Sequence, residues 1–254
     1  MITLTAFRWV PPFAQGLVRD FRVRWALEEA GIPYRERLIG PEDLATAGYR
    51  ALQPFGQVPA IETDNLKLFE SGAIVLHITE QSEALAPSDV NGRARTSAWM
   101  FAALNSAEPP IQVLAELDLF HAGEAWAMAR RPMALAAVQK RLGAVEDWLG
   151  GRDYLEDRFT AGDLLMTTVL RILRHTDIVS ERPALKADRS TLGLGSLHLT
   201  QRPRLIATLF HCDCGDTYLQ AGSGFAGAVL IAGQASKQGC QSALRPGRCW
   251  RVRV

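Results

Sequence analysis

Two short stretches of the 254-residue chain hold the residue types best suited to binding chemistry. In Gln53-Pro54-Phe55-Gly56-Gln57-Val58-Pro59-Ala60-Ile61, a Val-Pro pair stands immediately before an apolar run. A cis proline at that point turns the backbone of Val58 outward. In Glu70-Ser71-Gly72-Ala73-Ile74, an acid and a hydroxyl follow one extended segment and open a helical one. A helix start presents unpaired N–H groups and partial positive charge, which suits a carboxylate. Taken alone, the second stretch has a plainer reading: Ser71 caps its helix and Glu70 complements the helix dipole. Two further patterns lie near the C-terminus. Gly222-Ser223-Gly224-Phe225-Ala226-Gly227 fits the dinucleotide fingerprint, but no acidic residue follows Asp216 to hold a ribose. His211-Cys212-Asp213-Cys214 offers metal-ligand types, yet Cys240 and Cys249 form no second close pair. We expect neither a nucleotide nor a metal there.

The elements that must position these residues are legible from periodicity. Ile2 to Phe7 alternates like a half-buried strand, and a Pro-containing loop (Arg8 to Phe13) follows. Val23, Ala26, Leu27 and Ala30 share a helix face that Gly31 and Pro33 close. Tyr34 to Ile39 reads as a second strand, and Pro41-Glu42-Asp43 opens a short helix. Val58 to Glu62 and Leu66 to Phe69 read as strands joined at Asp64-Asn65, with a helix over Ser71 to Gln81. The order β-α-β-α-β-β-α predicts an α/β sandwich on one sheet. From Asn91 the pattern is helical. Trp99, Ala102, Ala103 and Ser106 form one stripe, which Pro109-Pro110 must break or kink. Val138, Leu142, Val145 and Leu149 form another, and Met166, Val169, Leu170 and Leu173 a third. Ala84 to Val90 reads as the linker between the two parts.

With these elements in place, the chain resembles the cytosolic glutathione S-transferase family, of bacterial-like type, over residues 1 to about 187. The resemblance rests on Gly56-Gln57-Val58-Pro59-Ala60, then Glu70-Ser71-Gly72-Ala73-Ile74 eleven residues beyond the proline, then Phe159-Thr160-Ala161-Gly162-Asp163-Leu164. It implies a thioredoxin-like domain (1–83), a linker (84–90) and an α-helical bundle domain (91–187), followed by an atypical tail (188–254). It further implies glutathione as co-substrate, with no metal. The Val58 N–H and C=O would pair with the cysteinyl part of glutathione like an added strand. Pro59 would hold that edge open, and Gln57 would help hold the peptide. Glu70 would accept from the γ-glutamyl ammonium while Ser71 and its helix N–H groups bind the neighbouring carboxylate. In the third motif, Thr160 would cap its helix, Asp163 would reach back, and Phe159 would staple to Leu164. The implied reaction is attack of the thiolate on a small hydrophobic electrophile. A glutathione-dependent peroxidase or isomerase, or a non-catalytic glutathione-binding or protein-interaction module, is the alternative. The family stabilises the thiolate with a Tyr, Ser or Cys after the first strand, and none occurs between Phe7 and Trp25. The indole N–H of Trp9, the guanidinium of Arg19 and backbone amides at the helix start are the candidate replacements; Arg19 is attractive because a cation favours thiolate over thiol, and its plainer reading is a solvated helix arginine. Trp9, Phe13, Trp99 and Phe101 are candidate lining residues for the second substrate. A homodimer is expected from the family.

Composition narrows the remaining options. The net charge of +1 gives no general attraction to nucleic acid or anionic lipid. No apolar run approaches the roughly 18–20 residues that cross a bilayer, and no signal peptide is evident after Met1, so a cytoplasmic protein is expected. The neutral total conceals two unlike parts. Residues 1–187 hold 20 Lys/Arg against 24 Asp/Glu, whereas residues 188–254 hold 8 against 3. All four cysteines and nine of the 21 glycines fall in the second part. That simultaneous shift points to an altered reading frame, an acquired extension or a disordered end rather than a third evolved domain.

Overall fold

The computed structural model describes residues 1–182 together with Leu185. The motifs at His211-Cys212-Asp213-Cys214 and Gly222 to Gly227, and the tail 188–254 as a whole, lie outside these residues.

A four-stranded mixed sheet carries the N-terminal part. Its strands are β1 (Ile2–Phe7), β2 (Tyr34–Ile39), β3 (Ala60–Glu62) and β4 (Lys67–Phe69), in the order β2-β1-β3-β4. β1 and β2 run parallel, Ile2 opposite Tyr34 and Phe7 opposite Ile39; β1 and β3 run antiparallel, with Leu4 opposite Ile61. The parallel pair needs a crossover, and α1 (Asp20–Ala30) supplies it. Its apolar stripe is buried, and Gly31 ends it at φ 66°, in the left-handed region that glycine enters without a Cβ penalty. A 3-10 turn (Pro41–Ala45) and the short α2 (Ala47–Arg50) follow β2, and α3 (Ser71–Thr79) follows β4. This is the thioredoxin-like arrangement. The two hairpin strands are each shorter than periodicity suggests, because β3 begins only after the Val58-Pro59 pair.

The helical part comprises α4 (Val90–Phe101), α5 (Glu108–Phe120), α6 (Ala125–Leu149) and α7 (Ala161–Leu170). Winding continues without interruption from α4 into α5 through a π-helical turn, Ala102–Ala107. Pro109 and Pro110 lack an N–H to return to the preceding turn, and their rings crowd its carbonyls. A wider turn makes that room without breaking the helix. The buried stripe is therefore Thr96, Met100, Ala103, Ala107 and Ile111, and the expected Ser106 is exposed.

One apolar core runs through both parts. It joins Leu4 and Ile61 of the sheet and Phe21, Leu27, Ile74 and Ile78 of α1 and α3 to Leu164, Leu165 and Val169 of α7. The Thr160–Asp163 box starts α7. Thr160 Oγ1 accepts from the Gly162 N–H, and the Asp163 carboxylate accepts from the N–H groups of Thr160 and Leu155, each at 2.8 Å. Phe159 stacks on Trp25 of α1, ring centroids 6.2 Å apart. A second, small core of Ile39, Tyr49, Leu52, Val58 and Ala60 lies under α2.

Candidate functional site

Val58 and Pro59 sit at the entrance of β3, and the peptide bond between them is cis. The Val58 side chain is buried in the small core under α2, while among the described residues its N–H and C=O take no hydrogen bond. They form an unpaired piece of strand edge, the geometry that accepts an extended peptide. The turn before it is tightly held. The Tyr49 hydroxyl donates to the Gln57 carbonyl at 2.6 Å, and the Gln53 side-chain oxygen accepts from the Gln57 N–H at 3.2 Å. Burial pushes the Tyr49 phenol up to about 12, so it remains a donor across the physiological range. Gly56 has φ 62°, and a Cβ there would come within 2.7 Å of the Leu44 carbonyl oxygen, so the turn demands glycine. The Gln57 side chain is exposed.

The second half of the site is the first turn of α3. Glu70 is the residue before the helix; it is exposed and has φ 68°, the one non-glycine positive φ among the described residues. Such a conformation in a residue with a Cβ costs of order 1–3 kcal/mol and clusters at functional positions. Neither Glu70 nor Ser71 caps the helix with its side chain. Ser71 is buried, and its hydroxyl accepts instead from Arg22 of α1 at 3.3 Å. Ser71 therefore does not cap its helix, while Glu70 keeps the position at which an acid complements the helix dipole. Gly72 lets the turn press on the helical part, since a Cβ there would lie 2.5 Å from Leu104.

Arg22 continues the network. Its guanidinium is buried and lies 2.9 Å from the carboxylate of Glu108, the first residue of α5, which also pairs with Arg19 at 3.1 Å. Burial alone would raise the Glu108 carboxyl, but the Arg22 and Arg19 guanidinium groups hold it below its ordinary value. Burial pulls the Arg22 guanidinium down, and Glu108 offsets part of that pull. Two guanidinium groups share one carboxylate, so a surplus of positive charge remains beside the unpaired N–H groups of α3 and the Ser71 hydroxyl. The exposed Glu70 carboxylate also acts on Arg22. A cationic patch next to an acid matches the zwitterion of an α-amino acid, one charge for each.

Arg22, Glu108 and Tyr49 were not identified from the sequence. Arg19, a candidate thiolate-stabilising cation, precedes α1 and is half exposed in its pair with Glu108. Trp9 is exposed on the segment between β1 and α1. Phe13, on the same segment, meets Phe120 of α5 edge-on with ring centroids 5.9 Å apart. Trp99, on α4, packs on Trp148 with ring centroids 5.2 Å apart, and its indole N–H donates to Glu156. Phe101 is exposed.

Comparison with known proteins agrees with this geometry. The family model described as glutathione S-transferase, N-terminal domain, matches residues 13–80. Glutathione S-transferase alpha-2 of Rattus norvegicus is 31% identical over 176 residues, 67% of this chain and 77% of the rat protein. Maleylpyruvate isomerase of a Ralstonia species is 37% identical over 81 residues, 30% of this chain and 38% of that protein. Among solved structures, a glutathione transferase from Burkholderia graminis with two glutathione molecules bound per subunit superposes with a TM-score of 0.69 at 23% identity. The match covers 84% of this chain and 89% of that one. A glutathione transferase of Populus trichocarpa gives 0.70 at 20% identity, covering 84% and 100%. The likeness to these structures is one of fold, whereas the identity to the rat protein extends over most of its length. That identity, carried over more than two thirds of the rat protein, establishes that this chain belongs to the glutathione S-transferase family.

Proposed function

We propose that this protein is a glutathione transferase that joins the glutathione thiolate to a small hydrophobic electrophile. The observation that carries the reading is the charge arrangement at the first turn of α3, complementary to the γ-glutamyl zwitterion. Glu70 faces the ammonium. Ser71, the α3 N–H groups and the Arg22 guanidinium face the carboxylate. Gln57 and the Val58 backbone hold the remaining peptide, with Pro59 turning the edge outward. In the reaction the sulfur forms a bond to an electrophilic carbon, the leaving group departs with its electron pair, and the thiol proton passes to solvent. The protein stabilises the thiolate and supplies proximity. Trp9 and Arg19 are the candidate stabilising groups, both on the segment between β1 and α1. In this reading the protein is a cytoplasmic homodimer acting in detoxification, with the two domains divided at residues 84–90.

The relation to a maleylpyruvate isomerase favours a second reading at the same site, reversible addition of the thiolate to a conjugated double bond and its later loss. Retention on immobilised glutathione tests the assignment. The wild type should bind and elute with free glutathione. Ser71→Ala removes one acceptor from Arg22 and one donor to the carboxylate, and should weaken retention by about 1–3 kcal/mol. Equal retention of the two proteins, or passage of the wild type through the column, rejects the site. Binding without turnover of a broad panel of electrophiles would identify a non-catalytic glutathione-binding module instead.

A further inference from the structure

The segment Arg8–Arg19 between β1 and α1 carries both thiolate-stabilising candidates, yet little of it is fixed by the sheet. Arg8 donates its N–H to Ile39 at 2.8 Å, and beyond that point Pro11 and Pro12 have no N–H to offer. The backbone then bonds to itself in short turns, Ala14 to Pro11, Gln15 to Pro12 and Leu17 to Ala14. At its two ends the segment is held by ion pairs, Arg8 with Glu42 at 3.6 Å and Arg19 with Glu108 at 3.1 Å, and its middle is held by the helical domain. Arg174, in the 3-10 turn Arg171–His175 after α7, donates from Nη2 to the Phe13 carbonyl at 2.6 Å and from Nη1 to the Gln15 carbonyl at 2.8 Å. Phe120 meets the Phe13 ring beside this fork. Among the described residues no carboxylate pairs with Arg174, and its guanidinium bonds to two main-chain carbonyls of the segment. The turn that carries it is itself anchored. His175 reaches the Asp118 carboxylate of α5 at 3.4 Å, and Arg131 of α6 grips the same carboxylate through two bonds.

We propose that Arg174 is a positioning residue for the transferase reaction: its guanidinium fork fixes the segment Arg8–Arg19, and with it the group that meets the glutathione sulfur and the Phe13–Phe120 wall facing the electrophile. The inference rests on the function proposed above. Its geometry calls for arginine, because a planar fork spans two carbonyls at once whereas a lysine ammonium is a single point charge. Arg174 touches neither Ser71 nor the Val58 edge, so glutathione capture and electrophile turnover should respond differently to its loss.

The test compares full-length wild type, Arg174→Met and Arg174→Lys. Steady-state kinetics with 1-chloro-2,4-dinitrobenzene and glutathione are measured alongside amide hydrogen exchange of peptides covering 8–19. In Arg174→Met, kcat/KM for the dinitrobenzene should fall by about 10- to 100-fold, the scale of a misplaced catalytic group. The KM for glutathione should stay near wild type. Exchange in 8–19 should rise about tenfold while β1 to β4 keep their protection, as expected of a local opening. Arg174→Lys should recover part of both effects. Unchanged exchange and kcat/KM would overturn the proposal, as would a glutathione KM that rises in step with the loss of turnover. If the wild type neither binds glutathione nor turns over the probe, the function proposed above fails, while the exchange comparison still decides whether Arg174 holds the segment.

Discussion

Glu108→Gln probes the link between the two parts of the molecule. The wild-type carboxylate is buried, 2.9 Å from the buried Arg22 and 3.1 Å from the half-exposed Arg19. The substitution preserves size and an acceptor oxygen but removes the charge. Stripping one partner from a buried ion pair costs about 3–5 kcal/mol, because the other charge is left without compensation. The Arg19 arm lies nearer solvent and adds at most about 1 kcal/mol. For a domain of this size each kcal/mol is about 2–4 °C, so the melting temperature should drop by about 6–24 °C. The same change leaves Arg22 free to meet an anion, so saturating glutathione should restore more of the lost melting temperature in the variant than it adds to the wild type. The pH dependence has a definite sign. Glu108 is held below its ordinary 4.5 in the folded protein, so its contribution is full above that value and fades as pH falls through the lower folded value. The gap between wild type and variant should therefore be flat near neutrality and close in acid. Thermal unfolding with and without glutathione from pH 7 to pH 3 reads all three effects. A variant that melts within about 2 °C of wild type at pH 7 would refute the claim that Glu108 compensates a buried charge.

Two further changes isolate other contacts. Tyr49→Phe deletes the hydroxyl that holds the Gln57 carbonyl, costing about 1 kcal/mol in chemical denaturation and weakening glutathione binding through the displaced turn. Because the phenol is pushed up to about 12, that difference should be constant from pH 6 to pH 9, and a difference that varies across this range would count against the donor role. Asp163→Ala leaves the buried N–H groups of Leu155 and Thr160 without their acceptor, at about 1–3 kcal/mol each. It should lower stability strongly while leaving the glutathione affinity of the folded fraction unchanged; a specific loss of affinity would show that the box does more than start α7.

The strand and helix order could be read from the chain because each element carries its own local signal. Ile2 to Phe7 alternates, Gly31 stops α1, and Thr160 with Asp163 announces α7, all within a few residues. Val58, Pro59, Glu70 and Ser71 stand out for the same reason. Arg22 and Glu108 do not, since each is one charged residue on a helix, indistinguishable from a solvated one until folding joins them across the two domains. Tyr49 is equally silent, as its partner is a main-chain carbonyl that any residue at position 57 would offer. The pair Pro109-Pro110 signals a disturbance but not its outcome: a break, a kink and a widened turn all relieve the same crowding. That choice displaced the expected stripe beyond Ala103.

The widened turn at Ala102–Ala107 has a consequence for tolerance to insertion and deletion. An α-helix rotates by about 100° for every residue, so one residue gained or lost spins everything downstream relative to everything upstream. The long rod from Val90 to Phe120 addresses α7 with its first half and the thioredoxin-like domain with Glu108 near its middle. The wide turn between 102 and 107, closed by the Glu108 N–H on the Ala103 carbonyl, already holds one residue more than an α-turn, so a single deletion there would tighten it to an ordinary turn and leave the carboxylate close to its present direction. The rod works as a compass needle, and the slack in its bearing lies in six inconspicuous residues, none of which carries a charge.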